Sequence, residues 1–303
     1  MSAARAARKN STNVRFFTLR LAIRLLARVA PGAAEEWALR LWSTPRRPDP
    51  PRPPEVPGLA ARRFTVMSPA GPLAAWSWGA GPTVLLVHGW SGYAGQMVGL
   101  VAPLAAAGFR VVAFDQPAHG ESPGRRTNGV RMQHAVAAVA RAVGPLHAIV
   151  AHSLGGTSAV VAMSDGLAAE RVVLLSPPAE PPPFARAFAA ALGLSPARTE
   201  GMLNRARRSL GGDFSRLDLR KIAPRLRAQA LVVHDPEDAE VPFAHGQAIA
   251  HAWPGARLRI TRGLGHRRAL RDPEVLAEVV EFVAEPAVPD QPRVAVARRG
   301  SDR

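Results

Sequence analysis

Six short apolar runs, at 83–87, 110–114, 148–151, 171–175, 230–233 and 257–261, punctuate the chain, and helical patterns separate most of them. Runs such as Thr-Val-Leu-Leu-Val at 83–87 show no polar alternation, as expected of strands buried on both faces. Strands alternating with helices predict an α/β fold, a mainly parallel, doubly wound sheet with helices on both faces. Helices are expected at 94–107, 127–143, 154–164, 243–252 and 273–284. A hairpin of strands at 64–67 and 74–78, divided by Pro69-Ala70-Gly71-Pro72, is expected to precede them. The alternation breaks once. Residues 177–228 open on a proline cluster and then read as helices near 184–193, 196–210 and 215–222, an insertion placed as a helical lid.

The run at 148–151 ends abruptly at Ser153, and small residues Gly155, Gly156, Ser158 and Ala159 open the next helix. This is a strand, a sharp turn and a helix with a serine at the apex. It matches G-x-S-x-G except that Ala151 fills the first position, one extra methyl in a crowded place. The free N–H groups at the start of that helix suit a developing negative charge. A serine hydroxyl needs a base within hydrogen-bond reach, and the base needs a carboxylate to fix its tautomer. Ligands in such sheets bind beyond the carboxyl ends of the strands. Candidates there are the turn after Val87, Ser153, Asp235 or Asp238, and His266.

Five motifs stand in order at strand ends: Leu-Val-His-Gly at 86–89, Asp-Gln-Pro-Ala-His-Gly-Glu-Ser at 115–122, Ala-His-Ser-Leu-Gly-Gly at 151–156, Asp-x-x-Val-Pro at 238–242 and Gly-x-Gly-His at 263–266. Over residues 62–284 the chain resembles the α/β-hydrolase fold superfamily of serine hydrolases, esterase- and lipase-like. The resemblance implies Ser153 as nucleophile, Asp238 as acid and His266 as base. Asp235 is the runner-up for the acid, with Pro236 behind it favouring a turn role. The implied oxyanion hole uses the backbone N–H groups of Trp90 and Leu154. His88 and His119 are expected to stabilise their loops and His152 to pack beside the elbow. His245 and His251 fall on a surface helix by their spacing, and His134 and His147 show no partner pattern. The implied reaction is cleavage of an ester or thioester through an acyl-enzyme. An acyltransferase or C–C bond hydrolase on the same triad, or a non-catalytic membrane-associated scaffold, is the alternative.

The expected organisation is a basic helical arm with a proline-rich linker at 1–60, the hydrolase domain at 61–285, and a disordered tail at 286–303. The formal net charge of +16 is segregated: 1–63 carries +9, 177–228 carries +6, 285–303 carries +1, and the remainder is neutral. No nucleic-acid recognition motif accompanies it, so a nucleic-acid partner is not expected. A small acyl substrate, an anionic one included, or an anionic membrane surface fits at least as well. In the helix read at 14–30, Arg20, Arg24 and Arg28 share one face and Leu19, Ile23 and Leu26 the other. The arginines rule out a membrane span, and the broken apolar region fits a signal peptide poorly. Such an arm packs on the body or lies in a membrane interface. Seven prolines at 44–57 make an extended linker. The absence of cysteine excludes disulfides and thiolate metal sites, and without H-E-x-x-H spacing no metal or other cofactor is expected. The expected location is the cytoplasm, with the arm offering a peripheral place at the inner membrane surface.

Overall fold

The computed structural model describes residues 2–47, 54–210 and 214–286. The expected tail from 287 on and the linker residues 48–53 lie outside them. Eight strands form one sheet: β1 (Arg62–Ser68), β2 (Gly71–Trp78), β3 (Thr83–Val87), β4 (Arg110–Phe114), β5 (Leu146–His152), β6 (Ala169–Leu175), β7 (Gln229–His234) and β8 (Arg257–Ile260). Their order is β1-β2-β4-β3-β5-β6-β7-β8. The β1–β2 and β2–β4 pairings are antiparallel and all others parallel. The hairpin is tighter than its proline-flanked sequence suggests. Ser68 pairs with Gly71, leaving only Pro69 and Ala70 to turn, and Pro72 lies inside the strand facing Met67.

The register decides where the site can be. Val87 pairs with Phe114 and Ala151, and Leu175 pairs with His152 and Val233. The parallel strands therefore end side by side, and their following loops leave from one edge. Alternate residues of each strand feed opposite cores. Leu85 and Val87 pack with Val136, Val139 and Val160 on one side, between the sheet and α4 (Gly129–Val143) and α5 (Leu154–Ser164). Val84 and Leu86 pack with Leu100, Leu104 and Val279 on the other, against α3 (Val101–Ala106) and α10 (Pro273–Ala284). The stretch expected as one helix at 94–107 is a 3-10 helix, Ala94–Leu100, running into α3.

A third core lies away from the sheet. The chain begins with α1 (Ser2–Val29) and α2 (Pro31–Trp42); Pro31 breaks α1 and suits the first turn of α2. The insertion between β6 and β7 folds as α6 (Pro182–Ala191), α7 (Pro196–Leu210) and the short α8 (Leu219–Ile222). Ile23 is fully buried in a cluster with Ala34 and Ala38 of α2, Ala185 and Ala189 of α6, and Met202 and Leu203 of α7. Leu19 and Leu26 pack against the same cluster. Buried Glu35 of α2 accepts from Arg198 (3.0 Å) and Arg205 (3.2 Å) of α7. Burying that carboxylate is tolerable because two guanidinium groups compensate it.

The segment after α2 is stitched to the loops at the sheet edge. The Thr127 amide donates to Ser43 O (2.9 Å), and the Arg46 amide donates to Ser91 Oγ (2.9 Å). The Arg47 guanidinium donates to the carbonyls of Gly120 (2.7 Å), Gly124 (2.9 Å) and Ser122. Among the described residues no helix is long and apolar enough to cross a membrane. α9 (Phe243–Ala252) completes the helical layers.

Candidate active site

Ser153 sits between β5 and α5 with φ 52° and ψ −130°, a left-handed conformation that costs a non-glycine residue on the order of 1–3 kcal/mol. The turn is held in place because the Ser153 amide donates to Leu175 O on the neighbouring strand at 2.8 Å. Its neighbours have no room for side chains. A Cβ at Gly155 would lie 2.4 Å from His88 O, and one at Gly89 would lie 2.8 Å from Ser153 Cβ. Ala151, the departure from the glycine pattern, is fully buried, its methyl absorbed into the core beneath the sheet edge.

His266 follows β8, and Asp238 lies in the loop after β7. His266 Nδ1 donates to Asp238 Oδ2 at 2.8 Å, which leaves Nε2 as the ring's acceptor. Asp238 Oδ1 accepts the amides of Glu240 (2.8 Å) and Val241 (2.9 Å). His234, which no local pattern singles out, closes the other flank. Its Nε2 lies 2.9 Å from Val241 O and 3.5 Å from Asp238 Oδ2. Burial pushes the Asp238 carboxyl up, but donation by His234, His266 and the Val241 amide outweighs it and holds the group far below the usual carboxylate range. Asp235 points elsewhere. It accepts from the Glu237 and Leu264 amides (2.8 and 2.6 Å) and from Thr261 Oγ1 (3.1 Å), tying the β7 and β8 loops together.

Ser153 and His266 both line one cavity of about 850 Å³, together with Trp90 and Leu154. Among the described residues neither the Trp90 nor the Leu154 amide donates to a protein acceptor. Ser153 Oγ likewise forms no hydrogen bond to His266, a contact that commonly tightens only with substrate bound. Glu240 Oε2 stands 4.0 Å from His266 Nε2 and is paired with Arg267 at 3.0 Å. The helices supply apolar lining: Leu39 and Trp42 come from α2, Phe184 from α6, and Met202 and Leu203 from α7. Helix α2 therefore helps to complete the cavity, which no motif in the sequence announces.

Five other histidines brace this framework. The Gln116 amide donates to His88 Nε2 (2.9 Å) and the Ser91 amide to His119 Nε2 (3.0 Å). His152 Nε2 donates to His266 O (2.9 Å), with ring centroids 4.7 Å apart. His147 does have partners, Val283 O (2.8 Å) and a stacked Phe109, both distant in sequence. The Ala179 amide donates to His245 Nδ1 (3.2 Å), joining α9 to the insertion.

The sequence model described as the alpha/beta hydrolase fold matches residues 82–259, more than half of the chain. The chain belongs to the alpha/beta hydrolase fold family. The family match stops short of His266 and excludes α1 and α2. No curated protein matches the sequence significantly. Solved structures with the same hydrolase fold include an esterase of Pyrococcus furiosus, 19% identical, TM-score 0.61, covering 80% of this chain and 96% of its own. The N-acyl homoserine lactone degrading enzyme Est816 is 20% identical, TM-score 0.59, covering 72% and 99%. An enol-lactonase of Burkholderia xenovorans LB400 is 19% identical, TM-score 0.57, covering 73% and 100%. At these identities the likeness speaks to the fold.

Burial of these histidines predicts an acid-sensitive hydrolase fold. Burial, then the nearby His266, pushes His152 down to about 3. Burial likewise takes His119 down to about 4, and His88 falls well below its ordinary value. In the unfolded chain these rings titrate near 6.5, so above that pH they cost nothing. Below it the unfolded state takes up protons that the folded state refuses, and stability falls. Asp115 opposes the trend. Burial raises its carboxyl to about 6 despite donation by the Ala94 and Glu121 amides, so the folded state gains one proton early. The histidine uptake outweighs it, so stability is expected to fall by about 1–3 kcal/mol per pH unit between pH 6 and 5. Urea unfolding between pH 7 and 5 should show it, and a flat profile would contradict neutral burial.

Proposed function

We propose that the protein is a serine hydrolase that cleaves a carboxylic ester, thioester or lactone through an acyl-enzyme on Ser153. The observation that carries this reading is His266, bonded to Asp238 through Nδ1 at 2.8 Å while lining the same cavity as the strained Ser153. Ser153 Oγ attacks the carbonyl carbon as His266 Nε2 takes its proton. The oxyanion is received by the Leu154 N–H at the start of α5 and by the Trp90 N–H. The imidazolium, stabilised by ionised Asp238, gives its proton to the leaving oxygen or sulfur. Water then attacks the acyl-serine, its proton passing to His266 and on to Ser153 Oγ, and the acid departs.

The lining narrows the substrate. Leu39, Trp42, Phe184 and Met202 suit an apolar acyl chain. Arg126, Arg131 and Arg208 line the cavity as well, with no carboxylate partner among the described residues. The carboxylates there are already committed, Glu36 to Arg40 (2.9 Å) and Glu240 to Arg267. The surplus positive charge favours an ester that also bears an anionic group. A series of p-nitrophenyl esters tests both points. Wild type should hydrolyse them with an initial burst, and a dicarboxylic half-ester should exceed its neutral counterpart of equal length in kcat/KM. Arg126→Gln with Arg131→Gln should shrink that preference about three- to tenfold, as for exposed ion pairs. Equal rates for the two esters in wild type would remove the anionic preference, and hydrolysis retained in Ser153→Ala would remove the mechanism.

A further inference from the structure

The face of α1 that carries Leu19, Ile23 and Leu26 is spent on the third core, yet the helix keeps a second apolar row. Phe17, Leu21, Leu25 and Val29 repeat every four residues and are 67%, 48%, 50% and 82% exposed. With Phe16, α1 holds five of the seven large hydrophobic side chains that are exposed among the described residues. Each of the first three has an arginine three positions on: Phe17 and Arg20, Leu21 and Arg24, Leu25 and Arg28. Residues three apart are neighbours on a helix surface, so an apolar row and a cationic row run side by side. The three arginines are solvent-exposed. The first acidic residue of the chain is Glu35, whereas seven lysines and arginines precede it.

We propose that this outer face of α1 docks the protein on an anionic lipid bilayer. The apolar row enters the boundary between headgroups and acyl chains, and the arginine row meets lipid phosphates at the same depth. A second copy of the chain is a poorer occupant, because it would bring two arginine rows together without acids to separate them. The inner face stays on α2, α6 and α7, so docking leaves that helical core assembled. The proposal is independent of the reaction assigned to Ser153.

The test is co-sedimentation of the full-length protein with vesicles of phosphatidylcholine alone or with about one-third phosphatidylglycerol, at about 0.1 and about 0.5 M salt. Binding is expected only with phosphatidylglycerol and should weaken about tenfold or more at the higher salt. F17Q/L21Q/L25Q/V29Q should bind about tenfold or more weakly while its circular dichroism and melting temperature stay those of wild type. R20Q/R24Q/R28Q should lose the preference for anionic vesicles. Wild type that ignores both vesicles, or a quadruple variant that binds as wild type does, overturns the proposal. So does self-association in the ultracentrifuge that the quadruple variant abolishes in a protein that never binds lipid; that result assigns the stripe to a second copy.

Discussion

Ser153→Ala and His266→Ala should each lower kcat for an activated ester by about 10⁶-fold, and the double variant should be no worse than either. The reason is geometric. Oγ is a competent nucleophile only while Nε2 can take its proton, so removing either partner removes the same step. Additive losses would mean that the two residues act independently and would break the proposed pair. Both variants should fold. Among the described residues Ser153 belongs to no core cluster and its side chain holds no hydrogen bond that fixes the fold, and His266→Ala leaves the backbone carbonyl that receives His152.

Asp238→Asn should cost about 10⁴-fold in kcat with little change in KM. Asp238 is buried, ionised and 2.8 Å from His266 Nδ1. An amide at that position can present its NH₂ group to Nδ1, which then places the ring's proton on Nε2, the wrong nitrogen for a base. It also withdraws the charge that stabilises the imidazolium. Asp235→Asn makes the contrasting case. Asp235 joins the Leu264 amide to the β7 loop and does not touch His266, so its loss should destabilise the fold by about 1–3 kcal/mol and reduce kcat far less. If Asp235→Asn proved the more damaging to kcat, the assignment of the acid would be wrong.

The contrast between these two aspartates shows how far the sequence can be read. Strands β3 and β4 fall at 83–87 and 110–114 as expected, because an unbroken apolar run bounded by turn residues has one physical solution in a buried parallel sheet. Helices α9 and α10 likewise occupy 243–252 and 273–284. Ser153, Asp238 and His266 were legible because each follows a strand end within a short local pattern. What stayed hidden is long-range. The bonds from Arg198 and Arg205 to Glu35 join residues more than 160 positions apart, and no periodicity encodes them. Leu39 and Trp42 reach the cavity only through that docking. His234 reads as the last residue of a strand, and its contact with Asp238 depends on how the following loop folds back. The row at Phe17, Leu21, Leu25 and Val29 became notable only once the opposite face of α1 was seen to be occupied.

Fluorophosphonate labelling with peptide mapping tests whether Ser153 is an activated nucleophile. The probe bonds covalently to a serine whose hydroxyl is activated by a neighbouring base, whatever the natural substrate. A single adduct is expected at Ser153 in the wild type, none in Ser153→Ala, and labelling slowed by orders of magnitude in His266→Ala. A folded wild-type protein that takes up no probe, or one whose Ser153 adduct forms equally fast without His266, would contradict this expectation.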